Sequence, residues 1–199
     1  MISSPLLLDF PLPILTSRLM IRPMMPGDGR SIWQAIEESK ESLNKWLPWS
    51  LEVKDWQDCK KTARIFYANF ILRKDFNFCI FKDGQFVGGC ALRTPDWSIP
   101  SVSMSYWCRS KDQGQGYITE ATGALTLFAF QELGFKRVTI LCDAANSKSI
   151  AVAERLGFSL ETVAKGLIDN AYGEELCMAH RYVRFDSSGL ENSYAYPEH

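Results

Sequence analysis

Polar and apolar positions alternate over Arg18-Leu19-Met20-Ile21-Arg22 and the run stops at Pro23, which predicts a first strand. A turn at Pro26-Gly27-Asp28-Gly29 leads into residues 30–40, where Ile32, Trp33 and Ile36 recur at helical spacing. Residues 43–49 are aromatic and apolar, and the proline of Trp46-Leu47-Pro48-Trp49 bars a regular helix, so a loop or short helix is expected there. Between residues 55 and 73, Ala63, Phe66, Tyr67, Phe70 and Ile71 share one helical face, with Lys60, Lys61, Arg64 and Asn69 mostly opposite. Residues 76–81 and 86–92 are short aromatic and β-branched runs around Lys82-Asp83-Gly84-Gln85, whose Asp-Gly pair signals a hairpin. A proline-bounded loop over residues 94–100 separates them from a further strand at 102–108.

Beyond this point helix and strand alternate. Residues 118–133 carry a helical apolar face (Ala121, Leu125, Phe128) and end before Gly134, a residue suited to the left-handed position that closes a helix. A β-branched strand at 137–142 precedes a short helix at 146–156, with Asn146 as N-cap and Gly157 just past its end. Strands at 158–168 and 176–185 follow, around a turn near Tyr172-Gly173, and the polar residues 186–199 read as a mobile tail after a domain spanning residues 1–185. The order β-α-α-β-β-β-α-β-α-β-β describes one mixed α/β sheet with helices on its faces.

Composition narrows what such a domain does. The 199 residues suit a single core, and 46% apolar with 23% charged residues is ordinary for a globular protein. Twenty-two basic residues balance twenty-three acidic ones, so no bulk charge favours a nucleic-acid partner, and none is expected. Cys59, Cys79, Cys90, Cys108, Cys142 and Cys177 form no C-x-x-C pair, which argues against a metal centre and for free thiols in a reducing cytoplasm. Residues 2–15 hold Pro5, Pro11, Pro13 and Asp9 without a basic leading region, unlike a signal peptide, and no run reaches the ~20 apolar residues of a membrane span.

The segment with chemistry is Gln113-Gly114-Gln115-Gly116-Tyr117-Ile118-Thr119, between a predicted strand and a predicted helix. Glycines permit the tight turn, and the helix start offers unpaired N–H groups with the positive end of its dipole, a combination that receives phosphate. Thr119 breaks the dinucleotide pattern G-x-G-x-x-G, and no Gly-Lys-Ser/Thr follows to make a P-loop. By itself the turn is compatible with phosphate binding or with a plain tight turn.

Gln113-x-x-Gly116-x-Ile118 resembles the Gln/Arg-x-x-Gly-x-Gly/Ala signature of the GNAT acyltransferase superfamily. About forty residues on, Asn146-x-x-Ser149 and Ala153-Glu154-Arg155-Leu156-Gly157-Phe158 resemble its next helix. Tyr106-Trp107, the Gln-Gly-Gln-Gly-Tyr turn, Thr119-Glu120-Ala121 and Trp46-Leu47-Pro48-Trp49 are similar to the RimJ/RimL branch, which acetylates N-terminal amino groups of ribosomal proteins and includes relatives acting on other amines. The resemblance implies a single GNAT-like α/β domain: a mixed, mostly antiparallel sheet of about seven strands with a splayed central pair, and about four helices.

It also implies acetyl-CoA as co-substrate and no metal. The pyrophosphate would lie on Arg109 and residues 113–119, and the pantetheine arm along the strand backbone near Tyr106 and Cys108, so that Cys108 acts through its main chain. Asn146 is a candidate cofactor contact or simply an N-cap. Ile118 departs from the family's Gly or Ala, and Ala153 stands where many members carry the tyrosine that protonates the departing thiolate. The role passes to Ser149, one turn earlier, which can equally be a first-turn serine satisfying a backbone N–H.

Acetyl transfer to an amine needs that amine neutral, held against the carbonyl, and a donor for the collapsing tetrahedral intermediate, with no covalent enzyme intermediate. An α-amino group, pKa ~7.7–8.0, is partly neutral at neutral pH, whereas lysine near ~10.4 is not, which favours a protein N-terminus as acceptor. Asp169 is the leading candidate base; Glu38, Glu120, Glu174, Glu175 and His180 are the others, each with an ordinary surface or structural reading. Trp46 and Trp49 are expected to line the acceptor cleft. A small-molecule amine such as a polyamine, amino sugar or aminoglycoside is the alternative acceptor. A CoA-binding regulatory module without turnover is the alternative to an enzyme.

Overall fold

The computed structural model describes residues 4–168 and 176–190. Two strands, β1 (Ile14–Leu15) and β2 (Met20–Pro23), precede three helices, α1 (Gly29–Glu37), α2 (Lys40–Asn44) and α3 (Trp56–Ile71). The meander β3 (Phe76–Lys82), β4 (Gln85–Asp96) and β5 (Ser101–Cys108) follows, then α4 (Tyr117–Gln131), β6 (Arg137–Asp143), α5 (Ser147–Arg155), β7 (Ser159–Lys165) and β8 (Met178–Arg184). The eight strands lie in the order β1-β2-β3-β4-β5-β6-β8-β7, all antiparallel except the parallel pair β5/β6. The turn expected near Tyr172-Gly173 lies outside the described residues.

The central pair opens. β5 and β6 are in register only from Ser101↔Arg137 to Met104↔Ile140. Past that point β5 stays with β4 to Gly88↔Cys108, while β6 stays with β8 to Asp143↔Ala179. Two strands held by outer neighbours but not by each other leave a V-shaped gap whose inner backbone groups face an opening.

Helices cover both faces. The main core joins α4 and α5 to one face through Phe78, Met104, Leu125 and Phe128. A smaller core on the other face holds α1 and α3 through Ile32, Ile36, Cys59, Ala63, Cys79 and Phe86. Helix α4 is buried on every side from Ala121 to Ala129, where the sequence suggested a single apolar face. The N-terminal segment explains this: Phe10 lies edge-on to Phe128 at 5.1 Å and to Phe70 at 5.9 Å, closing over the core. Each large side chain fully buried this way contributes roughly 1.5–3 kcal/mol.

At the far end of the chain, Leu190 is buried in the main core, and residues 191–199 lie outside the described residues. Helix α3 begins at an N-cap, Asp55, whose Oδ1 accepts from Gln57 N at 2.7 Å and Asp58 N at 3.2 Å. Its neighbour, the Trp46-Leu47-Pro48-Trp49 connector, closes in a 3-10 turn over Pro48–Leu51, where the buried Ser50 Oγ donates to Leu47 O at 2.7 Å and bonds Asn44 Oδ1 at 2.9 Å.

Candidate active site

After β5 the chain makes a 3-10 turn, Ser110–Asp112, and enters the glycine segment. Gly114 (φ 77°) and Gly116 (φ 80°, the N-cap of α4) are left-handed, a conformation that side chains resist. The first helical amide to bond is that of Glu120, donating to Gly116 O at 3.0 Å. Among the described residues the amides of Gly114, Gln115, Gly116, Tyr117, Ile118 and Thr119 have no acceptor, at the positive end of a 15-residue helix. This donor set fits a pyrophosphate. Ile118 turns its side chain against the main core, so its size does not obstruct the amides.

The loop is held from three directions. Glu120 accepts from Arg18 Nε at 2.7 Å, Arg18 N at 3.0 Å and Thr16 Oγ1 at 2.5 Å, and Arg18 Nη1 donates to Gln115 O at 2.9 Å. Burial raises the Glu120 pKa, but the bonds from Thr16 and Arg18 outweigh it and hold the carboxyl below its ordinary range. Gln113 Nε2 donates to Ser42 Oγ at 3.2 Å, and Gln113 Oε1 accepts from Lys148 Nζ at 2.8 Å. Arg109 turns its side chain away from the amides, forming a bidentate pair with Glu38 at 2.7 and 2.5 Å. Its main-chain N–H is also committed, donating to Val87 O at 2.9 Å, so any part it takes in holding phosphate is electrostatic.

Inside the gap, Tyr106 Oη lies 2.9 Å from Ser149 Oγ and 3.1 Å from Ser149 O. Asn146 Oδ1 accepts from Ser149 N at 3.1 Å, so Asn146 is an N-cap that fixes the serine. These residues line a cleft of about 460 Å³ between the parted strands. Burial raises the Tyr106 pKa well above its ordinary value, partly offset by the Ser149 bond, so the phenol stays protonated. Burial also pushes the Cys108 thiol up to about 12, which leaves almost no thiolate at neutral pH. Ala153 is fully buried in the core and faces no substrate.

A second cavity, about 560 Å³, lies under α1 and α3 on the opposite face. Leu47, Trp49, Glu52, Ser105 and Tyr106 line both, so the connector and β5 form their common wall. Trp46 faces the cleft alone; Trp49 faces both and meets Trp107 edge-on at 6.1 Å. Trp107 in turn lies on β4 because Gly89 is glycine: a Cβ there would sit 2.7 Å from its Nε1.

Of the carboxylates considered from sequence, Glu38 is committed to Arg109, whose hydrogen bonds lower its pKa, and Glu120 to Arg18. Asp169, Glu174 and Glu175 lie outside the described residues. His180 pairs with Cys142 across β8 and β6, with Nδ1 buried and unpartnered among the described residues. Sequence reasoning passed over Glu52, among the described residues the one acid lining both cavities; its signal was its place three residues after the Trp-Leu-Pro-Trp segment. Among the described residues no three His, Cys, Asp or Glu side chains converge as metal ligands, and no helix is long and apolar enough to cross a membrane.

A parted parallel pair, a free-amide turn after the first of its strands and a hydroxyl pair in the gap define an acyl-CoA transferase site. The chain belongs to the GNAT acetyltransferase family, whose domain matches residues 18–159, and is an acetyl-CoA-dependent acetyltransferase. It is similar to YdaF of Bacillus subtilis (strain 168), a candidate ribosomal N-acetyltransferase by name, with 29% identity over 79% of this chain and 87% of YdaF. It is also similar to the ribosomal-protein-serine acetyltransferase of Escherichia coli (strain K12), with 29% identity over 73% of this chain and 82% of that protein. In fold it matches RimL, a ribosomal L7/L12 alpha-N-protein acetyltransferase solved with coenzyme A, at TM-score 0.82 and 20% identity, over 88% of this chain and 99% of RimL.

Proposed function

We propose that the acceptor is a protein N-terminal α-amino group, acetylated by direct attack with both substrates bound. The observation that carries this reading is the common wall: the hydroxyls of Tyr106 and Ser149 lie in the cleft, and the second cavity opens beside them at Glu52. Acetyl-CoA supplies the acetyl group as an activated thioester. The amides of residues 114–119 hold its phosphates, and the edge of Ser105–Cys108 that β6 leaves unpaired orients the pantetheine. Glu52 attracts the acceptor's ammonium and takes its proton through water. Tyr106 donates to Ser149 Oγ; the Ser149 hydroxyl gives its proton to the departing sulfur as it takes that of Tyr106, which solvent water restores, so a strand tyrosine supports the serine in place of the tyrosine that many superfamily members carry at the position of Ala153. Asp169 remains a second candidate base. The high pKa of Cys108 argues against an acetyl-cysteine.

The names of the relatives support a ribosomal protein as the acceptor's source. A second reading, a small-molecule amine, rests on Glu52, among the described residues the charged side chain shared by both cavities; Asp58 in the second cavity is matched there by Lys61 and Arg93. Thiol release from acetyl-CoA across peptides, polyamines and aminoglycosides separates the two: peptide turnover is expected, with lines that intersect in double-reciprocal plots. Turnover confined to polyamines or aminoglycosides would transfer the function to the second reading. Tight acetyl-CoA binding with no turnover on any of them would point to a regulatory module.

A further inference from the structure

The solvent-reachable lining of the second cavity is largely apolar. Trp49 is 40% exposed and Ile65 47%, and Leu47, Val53, Phe66 and Trp107 are half-buried. Single apolar side chains on a surface carry no message, whereas several around one concavity mark a groove for an apolar ligand. Two elements build it. On α3, Asp58, Thr62 and Ile65 follow one another at spacings of four and three, so they share one side of the helix and all three line the cavity. Across from them Trp49 stands edge-on to Trp107 at 6.1 Å, and the two indoles form one apolar wall.

The charges around this groove cancel, with Glu52 and Asp58 against Lys61 and Arg93. Asp58 Oδ2 already accepts from Lys54 N at 3.0 Å, and Arg93 lies over the Phe66 ring at 5.6 Å and 3.7 Å from Asp75. A charged side chain therefore gains little here once Glu52 has taken up the acceptor's ammonium. Position decides which part of the acceptor arrives. Leu47 and Trp49 line the cleft as well as the groove, as does Tyr106. An amine at the Tyr106–Ser149 end carries its side chain on the adjacent carbon, so that side chain meets Leu47 and Trp49 first, with Ile65 and Phe66 beyond. A serine or alanine side chain is too short to cover them.

We infer that this groove receives the side chain of the acceptor's first residue and selects a large apolar one, the class of leucine and phenylalanine, with Trp49 and Ile65 as specificity-determining residues. The inference rests on the α-amino acceptor reading above. Removal of the side chain's apolar surface from water, against Trp49 on one wall and Ile65 on the other, supplies the selectivity.

The test compares kcat/KM for hexapeptides identical except for a first residue of Leu, Phe, Ser, Ala or Lys, using wild type, Ile65→Asp and Trp49→Ala, with the acetyl-CoA affinity of each measured by calorimetry. Wild type is expected to favour Leu and Phe over Ser, Ala and Lys by about 10-fold or more, through KM. Ile65→Asp changes an exposed position, should bind acetyl-CoA normally, and should lose most of that preference while improving its use of the Lys-led peptide relative to the Leu-led one. That gain is an effect misfolding does not produce. Trp49→Ala should narrow the preference of Leu and Phe over Ala. Equal or better use of Ser-, Ala- or Lys-led peptides by wild type would overturn the inference while leaving the acceptor reading intact. So would an unchanged Leu and Phe preference in either variant that still binds acetyl-CoA. Acetylation of no peptide by wild type that binds acetyl-CoA would overturn both.

Discussion

The two sides of the site are made differently. In the proposed site the cofactor side is a contiguous stretch, Tyr106 to Thr119 with Asn146 and Ser149, and would work largely through main-chain groups whose directions are set by two left-handed glycines and a helix start. The acceptor side gathers side chains from the connector, α1, α3, β3 and β4, brought together only when both faces of the sheet are covered. Main-chain sites tolerate changes of side chain and fail when backbone conformation is disturbed. Side-chain cavities behave in the opposite way, and an acceptor can be changed without touching the cofactor.

This contrast is most exposed where the two sides meet. Replacing Tyr106 by Phe together with Ser149 by Ala should lower kcat about 100-fold or more, with acetyl-CoA affinity nearly unchanged in calorimetry. Comparable losses of kcat and affinity would mean the pair serves binding. On the cofactor side, Gly116→Val forces a β-branched residue to a φ of 80° and should weaken acetyl-CoA about 10–100-fold, whereas Gln115→Ala should change it less than about 2-fold. Equal effects would contradict a main-chain site.

Glu120→Gln tests the clamp on that loop, and should cost about 1–3 kcal/mol in denaturant unfolding at neutral pH. The folded-state pKa of Glu120 is depressed, so its contribution is present above the ordinary carboxylate range and is lost as pH falls through the depressed value. The stability gap between wild type and variant should therefore close in acid; a gap that persists there would assign the loss to packing. The smallest effect belongs to the acceptor side. Trp49→Ala should raise acceptor KM a few-fold without altering acetyl-CoA affinity; the ring is 40% exposed and packs edge-on against Trp107, so a stability loss of about 1–2 kcal/mol accompanies it.

The glycine turn and the helix ends around it were readable because their information is local. Glycines 114 and 116 announce the turn, Asn146 the cap and Leu156-Gly157-Phe158 the helix end, and every predicted helix and strand with described residues formed within a few residues of its place. Short-range signals do not report β1, two residues long and recruited by pairing with β2, or the split of the expected helix at 30–40 into α1 and α2. Burial of α4 on all sides depends on Phe10, over a hundred residues away. Tyr106 was expected to act through its backbone, and its hydroxyl meets Ser149 only because β5 and α5 pack together. Glu52 carries no motif. Its significance comes from the cavities it lines, which exist only in the folded chain.

A crystal structure with CoA bound tests the central claim most directly. The pyrophosphate oxygens should lie within hydrogen-bond distance of the amides of residues 114–119, with the thiol in the gap between β5 and β6 beside Tyr106 and Ser149. A pyrophosphate held instead by side chains away from the α4 N-terminus, or a thiol outside that gap, would contradict the account.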